Sequence, residues 1–273
     1  MRPNKRILIT GAAGGIGKTL REGLRGRYQT IRLNDIQGMD PAREGEEVVV
    51  ADLSDMAAVD ALTKDVDAIV HMGGQSIEAP WDVVLQANII GLYNLYEAAR
   101  RNGVQRIVFA SSNHAAGFCR RDKTIGPDEP IRPDSRYGVS KVFGEAMARL
   151  YSDKHGLSSV CLRIGQFRPK PTNVRMLSLW LSPRDMVQLA HRSLEAPDVH
   201  FEIVYGISNN PRGWYDNPGA KKIGYAPEDS AEDYATEVLA VVNPEDEPEI
   251  DRQFQGGPFC SDEFDGDLAR IPR

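Results

Sequence analysis

Seven short apolar or β-branched runs alternate with stretches of helical character. The runs are Arg6–Thr10, Thr30–Asn34, Glu47–Ala51, Ala68–His71, Arg106–Ala110, Ser159–Arg163 and Phe201–Tyr205. The helical stretches are Gly15–Arg27, Asp55–Lys64, Trp81–Asn102, Ser135–His155 and Pro183–Glu195. A glycine-rich turn, Thr10-Gly11-Ala12-Ala13-Gly14-Gly15-Ile16-Gly17, joins the first run to the first helix. These observations predict an α/β fold of Rossmann type, a doubly wound parallel sheet with a small C-terminal substrate lobe. Strands separated by helices need crossover connections, and crossovers make the strands parallel. Runs such as Ile107-Val108-Phe109-Ala110 are apolar throughout, which suits a sheet covered on both faces.

A chain of 273 residues, 41% of them hydrophobic, can bury one large core. One domain over 1–273 is expected, with 1–164 mainly the dinucleotide-binding core and 165–273 mainly the substrate lobe and tail. After about residue 164 the alternation weakens, and Pro169, Pro171, Pro211, Pro218 and Pro227 mark loops. Ser182-Pro183-Arg184-Asp185 is a well-marked helix start, with a capping hydroxyl followed by a first-turn proline. The tail after Val242 is acidic and proline-rich and reads as extended or docked on the surface.

The net charge is −6 and no basic block of five residues occurs, so a nucleic-acid partner is not expected. The apolar runs fall far short of the ~18–20 residues that span a bilayer, and no membrane partner is expected. Met1 to Arg6 leads directly into the first strand and does not read as a signal peptide. Cys119, Cys161 and Cys260 are widely spaced and odd in number. They suggest neither a disulfide framework nor a metal site, and free thiols point to a reducing cytoplasm.

Gly11, Gly14 and Gly17 follow the first strand and open the first helix. Missing side chains let the backbone turn tightly and approach a pyrophosphate, which the helix N-terminus attracts. The candidate cofactor contacts are Gly11, Gly14, Gly15, Ile16 and Gly17, with Tyr137 and Lys141 at the nicotinamide end. Asp35 ends the second strand, 24 residues after Gly11. A carboxylate there accepts hydrogen bonds from the adenosine ribose and repels a 2′-phosphate, which favours NAD over NADP. Asp52 and Leu53 follow the third strand and border the adenine, or else Asp52 caps the next helix. In His71-Met72-Gly73-Gly74 the small residues leave room for a cofactor, and His71 reads as packed.

Tyr137 and Lys141 are four residues apart, on one face of a helix, and Ser112 lies at the end of the fifth apolar run. A phenol titrates near ~10, too high for a base at neutral pH, and a nearby ammonium is expected to lower it. Tyr137 would then take a hydroxyl proton as hydride leaves the same carbon, with Ser112 orienting the reacting oxygen. Asn88 on the long helical stretch Trp81–Asn102 organises this region or satisfies a local bend. An anionic substrate needs a local cation, and Arg163, Arg168, Lys170 and Arg175 all lie in the segment entering the substrate lobe.

These motifs, in this order, resemble the extended short-chain dehydrogenase/reductase superfamily over about the first 165 residues. Longer stretches resemble its uronate dehydrogenase family over nearly the whole chain: 88–100, Ser111-Ser112-Asn113-His114, Arg175-Met176-Leu177-Ser178, Gly213-Trp214-Tyr215-Asp216-Asn217 and Phe254-Gln255-Gly256-Gly257. The resemblance implies NAD-dependent oxidation of the anomeric carbon of D-glucuronate or D-galacturonate to an aldarolactone. It implies Ser112, Tyr137 and Lys141 as the catalytic set, Ser76, Asn113 and His114 around the sugar, and Arg175 on the carboxylate. Gln166 stands where the family pattern has a serine near the sugar, a larger side chain that still donates and accepts. A nucleotide-sugar epimerase or dehydratase is the alternative enzyme, and a dinucleotide sensor the alternative that needs no Tyr137. The partner expected is a small uronate, and self-association is left open.

Overall fold

The computed structural model describes residues 5–241 and 247–272. Seven parallel strands form one sheet, as the sequence predicts, and their order is β3-β2-β1-β4-β5-β6-β9. They are β1 Arg6–Thr10, β2 Thr30–Asp35, β3 Glu46–Val50, β4 Ala68–His71, β5 Arg106–Ser112, β6 Ser158–Ile164 and β9 Phe201–Gly206. Two short strands, β7 Gln166–Phe167 and β8 Trp180–Leu181, pair separately. The helices are α1 Gly15–Gly23, α2 Met56–Thr63, α3 Trp81–Val84, α4 Gly91–Arg101, α5 Arg136–His155, α6 Met176–Leu179 and α7 Pro183–Glu195. Then come α8 Pro218–Ile223, α9 Ala235–Val241, α10 Glu249–Gln253 and α11 Pro258–Ser261.

Alternation along the strands builds two cores. Ile7 and Ile9 of β1 join Leu20 of α1, Leu24 at its end, and Met186 and Leu189 of α7. Leu8 between them joins Val59 of α2, Leu95 of α4 and Ala148 of α5 on the opposite face. Successive strand side chains point to opposite faces, so one apolar strand supplies both layers. Strand order reverses between β1 and β4. Open α/β sheets bind ligands at the carboxyl ends of the strands beside such a reversal.

Two helices differ from expectation. The first stops at Gly23, not Arg27. Gly26 has φ +74°, a left-handed conformation that ends the helical path. The stretch 81–102 is not one α-helix, because residues Leu85–Ile90 widen into a π turn between α3 and α4. The cause is tertiary. Asn88 Nδ2 donates to the Gln75 carbonyl at 3.0 Å and to Ser140 Oγ at 2.9 Å, and its Oδ1 accepts from the Gln75 amide at 2.7 Å. A π turn inserted in a helix often marks a functional site.

Part of the acidic tail, 242–246, lies outside the described residues. From 247 onward the tail is docked more deeply than a surface strap. The Gln255 amide donates to the Cys119 carbonyl at 2.9 Å, the Gly256 amide to the Gly117 carbonyl at 2.8 Å, and Phe254 is fully buried. Among the described residues no helix is long and apolar enough to cross a membrane. The three cysteines are free and buried.

Candidate active site

The glycine turn fits a pyrophosphate on geometry. Gly11 has φ +70°, and a Cβ there would lie 2.5 Å from the carbonyl carbon of Met72. A Cβ on Gly17 would lie 2.2 Å from the Gly11 carbonyl oxygen. Both positions therefore exclude any other residue. Gly14 and Gly15 are exposed, and a Cβ on Gly15 would meet nothing closer than 4.0 Å. No side chain caps α1, so its first amides remain available to an anion. Ile16, half-buried, packs against the core beside α1.

Asp35 Oδ2 accepts from the Ala13 amide at 3.0 Å and Oδ1 from the Gln37 amide at 3.0 Å. This ties the acid to the glycine turn and leaves further lone pairs for a ribose. Asp52 does not cap α2. Asp55 does, accepting from Ala57 and Ala58, while the exposed Asp52 accepts from the Ser54 amide at 2.8 Å. Leu53 packs where side chains on Gly73 and Gly91 would stand. His71 is packed, 2.7 Å from Thr10 Oγ1 and stacked on Phe109, and burial pushes its pKa down to about 3.

Ser112 and Tyr137 meet at the carboxyl end of the sheet. Ser112 ends β5 and is buried, and its Oγ accepts from the His114 amide at 3.2 Å. Tyr137 occupies the first turn of α5, capped by Ser135. Its amide donates to Glu78 Oε2 at 2.8 Å, which anchors the turn to the loop after β4. Ser76 is exposed on that loop. Lys141, one turn on, is buried with its Nζ 5.3 Å from the ring centres of both Tyr137 and Phe109.

Here the electrostatics correct the expectation. Burial raises the Tyr137 pKa to about 12, and the nearby Ser112 hydroxyl lowers it in part. Burial alone lowers Lys141 to about 8. In the ligand-free protein desolvation therefore sets the direction of both shifts, and the phenol stays neutral. A phenolate at Tyr137 and the Lys141 ammonium would stabilise each other, since an opposite charge nearby favours the charged form.

Among the four cations left open by sequence, tertiary contacts distinguish two. Arg163 is occupied, with two 2.9 Å contacts to Glu145 and one of 3.0 Å to the Tyr205 hydroxyl. Arg168 and Lys170 are exposed. Arg175 is buried and, among the described residues, has no carboxylate within ion-pair distance. Its Nε donates to the Gln255 carbonyl at 2.7 Å and its Nη1 to Gln166 Oε1 at 3.5 Å. Asn113, oriented to satisfy both ends of its amide, accepts from Arg175 Nη2 at 2.9 Å and donates to the Ile164 carbonyl at 3.1 Å. A buried cation without an acid is costly, and burial lowers its pKa. An anionic ligand would complete the arrangement.

Two residues escaped sequence reasoning. Asp134 faces His114, and Phe259 stacks on it at 4.0 Å between ring centres. A signal for Asp134 existed in Pro133-Asp134-Ser135, just before a helix start. The Gly-Gly-Pro-Phe run ending at Phe259 was a second. A neighbouring cavity of about 380 Å³ is lined by Glu78, Asp134, Arg136, Phe259 and Glu263 among others. Its acids do not suit a carboxylate, and Ser112, Lys141 and Arg175 are not among its walls.

The NAD dependent epimerase/dehydratase family matches residues 7–182. A uronate dehydrogenase of Pseudomonas syringae pv. tomato is 49% identical over 261 residues, covering 95% of this chain and 94% of that protein. The crystal structure of uronate dehydrogenase from Agrobacterium tumefaciens superposes with a TM-score of 0.91 at 47% identity, over 94% of this chain and 97% of that one. A tyrosine-to-alanine mutant of the Agrobacterium enzyme, complexed with NAD, gives 0.91 at 46% identity, over 95% and 98%.

Proposed function

The chain belongs to the NAD dependent epimerase/dehydratase family and, within it, to the uronate dehydrogenases, and from that premise we propose how its own residues carry the reaction. It is an NAD-dependent oxidoreductase acting on the anomeric carbon of a uronic acid, D-glucuronate or D-galacturonate. Bound NAD supplies the acceptor for the hydride from that carbon. Gly11, Gly14, Gly15, Ile16 and Gly17 cradle its pyrophosphate, Asp35 holds the adenosine ribose, and Asp52 and Leu53 border the adenine. Tyr137 takes the proton of the anomeric hydroxyl, Ser112 orients that oxygen, and Lys141 stabilises the phenolate and reaches the nicotinamide ribose. The C1–O bond becomes a carbonyl while the ring stays closed, so the product is a lactone. Ser76, Asn113, His114 and Gln166 surround the sugar.

The observation that carries this reading is Arg175, a buried guanidinium lacking an acid. It forks onto the uronate carboxylate, and Arg175→Lys is expected to lower kcat/KM about 100-fold, mainly through KM, because an ammonium cannot reproduce the planar fork. NAD affinity, measured by fluorescence quenching, should not change. An unchanged KM would remove Arg175 from the carboxylate.

The test of the reaction is NADH absorbance with NAD and either uronate, against glucose and NADP. NADH accumulating with uronates but not glucose supports the assignment. Silence with both uronates overturns it and leaves the fold standing, and nucleotide sugars become the next substrates to try. A division into a cofactor core over 1–164 and a substrate lobe over 165–273 belongs to the same proposal, as does a reducing cytoplasmic location, suggested by three buried free thiols. So does a homo-oligomer, since Tyr93 on α4 and Val139 and Leu150 on α5 leave apolar surface uncovered. Light scattering that returned the monomer mass would remove it.

A further inference from the structure

One buried acid beside the site is unused by the reaction above. Asp134 Oδ2 lies 2.6 Å from His114 Nδ1, and Asp134 Oδ1 accepts the Ser135 hydroxyl at 2.8 Å. Both residues are buried, at 8% exposure each. The carboxylate fits only because two other segments contribute glycines. A Cβ on Gly117 would come within 1.7 Å of Asp134 Oδ2, and one on Gly256 within 2.0 Å. Gly138 on α5 has the same character, since its Cβ would stand 2.5 Å from the His114 carbonyl oxygen.

The imidazole is clamped as well. Phe259 stacks on it with 29° between the ring planes, and Tyr137 meets it edge-on at 5.8 Å between ring centres. An ionised carboxylate can only accept a hydrogen bond, so the shared proton sits on Nδ1. Burial lowers the His114 pKa more than Asp134 raises it, which keeps the ring neutral. A neutral ring protonated at Nδ1 carries its lone pair on Nε2. Among the described residues Nε2 has no hydrogen-bond partner, and it is not one of the sealed polar atoms.

We infer that Asp134 is a positioning residue that fixes His114 as its Nδ1–H tautomer, so that Nε2 offers a hydrogen-bond acceptor to a hydroxyl of the sugar. The inference rests on the reading above that His114 lines the sugar site. It makes His114 selective for a donor at that point of the substrate. A purely structural staple between the 113–117 turn and α5 would show the same tautomer but would not tie it to kcat/KM.

Long-range proton–nitrogen NMR of histidine-labelled, ligand-free protein reads the tautomer directly, with His114→Gln identifying the resonances among five histidines. The wild type should show Nδ1 protonated and Nε2 bare. Asp134→Ala should lose that pattern and about 10–100-fold in kcat/KM for uronate, as supporting residues behind a ligand commonly do. Asp134→Asn, whose amide can donate to the Nδ1 lone pair, should move the proton to Nε2 and lose rate as the alanine variant does. It also covers the case in which the alanine variant fails to fold. A wild-type His114 protonated on Nε2, or variants that lose the tautomer yet keep kcat/KM within twofold, would overturn the inference. Because the tautomer is read without ligand, a wrong sugar shows instead as silence in the NADH assay with the tautomer intact.

Discussion

Replacing Tyr137 by phenylalanine is expected to lower kcat for uronate oxidation by about three orders of magnitude, the middle of the range for loss of a positioned base. NAD affinity should stay within about twofold, because the glycine turn and Asp35 are untouched. The substitution removes one oxygen and keeps the ring that packs against His114 and Phe259, so the fold should survive. The pH profile is the sharper test. In the ligand-free protein the phenol is pushed up to about 12. The wild-type rate should therefore climb from neutral towards alkaline pH as the deprotonated form becomes accessible. The residual rate of the phenylalanine variant should be flat over the same range. Stopped-flow NADH formation across that range decides it. A variant that keeps the alkaline rise would mean another group takes the proton.

The legibility of this molecule in its sequence follows the range of the interactions concerned. The boundaries of β1 and β4 and the start of α7 could be read directly, because periodicity, caps and proline act within a few residues. The glycine turn was legible for the same reason, since Gly11 and Gly17 are constrained by backbone a few residues away or just across one strand. The π turn at Leu85–Ile90 was not, because its cause is Asn88 reaching Gln75 and Ser140, and nothing local forces it. The arginines show the same limit. Arg163 and Arg175 look alike in sequence, and the difference is Glu145 on a helix packed beside Arg163. The expected fall in the Tyr137 pKa failed because spacing shows that an ammonium is near but not that water is absent. Asp134 lies 20 residues from His114, and Phe259 much farther, so neither shared a motif with it.

Lys141→Met is expected to abolish most activity and at the same time to stabilise the ligand-free protein. Lys141 is buried, and burial lowers its pKa from 10.5 to about 8. The folded state therefore holds this proton less tightly than the unfolded state. Below about pH 8 both states carry the charge, and folding bears the full cost of desolvating it. Between about 8 and 10.5 the folded lysine is neutral while the unfolded one is still charged, so wild-type stability rises with pH through that window. The cost at neutral pH is on the order of 3 kcal/mol from the size of the shift. Cation–π contacts with Phe109 and Tyr137 offset part of it, about 1 kcal/mol. A methionine of similar shape removes the charge and keeps the packing, so a gain of about 2 kcal/mol remains, or several degrees in Tm. The gap between the two proteins should shrink as pH rises from 8 to 10. Activity should fall at least 100-fold, because a phenolate at Tyr137 loses its counter-charge. Thermal melts at several pH values, paired with NADH assays, test both halves. A variant less stable than wild type at pH 7 would show that the ammonium is well solvated or paired in solution. A stable variant that keeps its activity would show that Tyr137 does not need it. A gain in stability together with a loss of activity would mean that the fold tolerates a buried charge at Lys141 because the reaction requires it there.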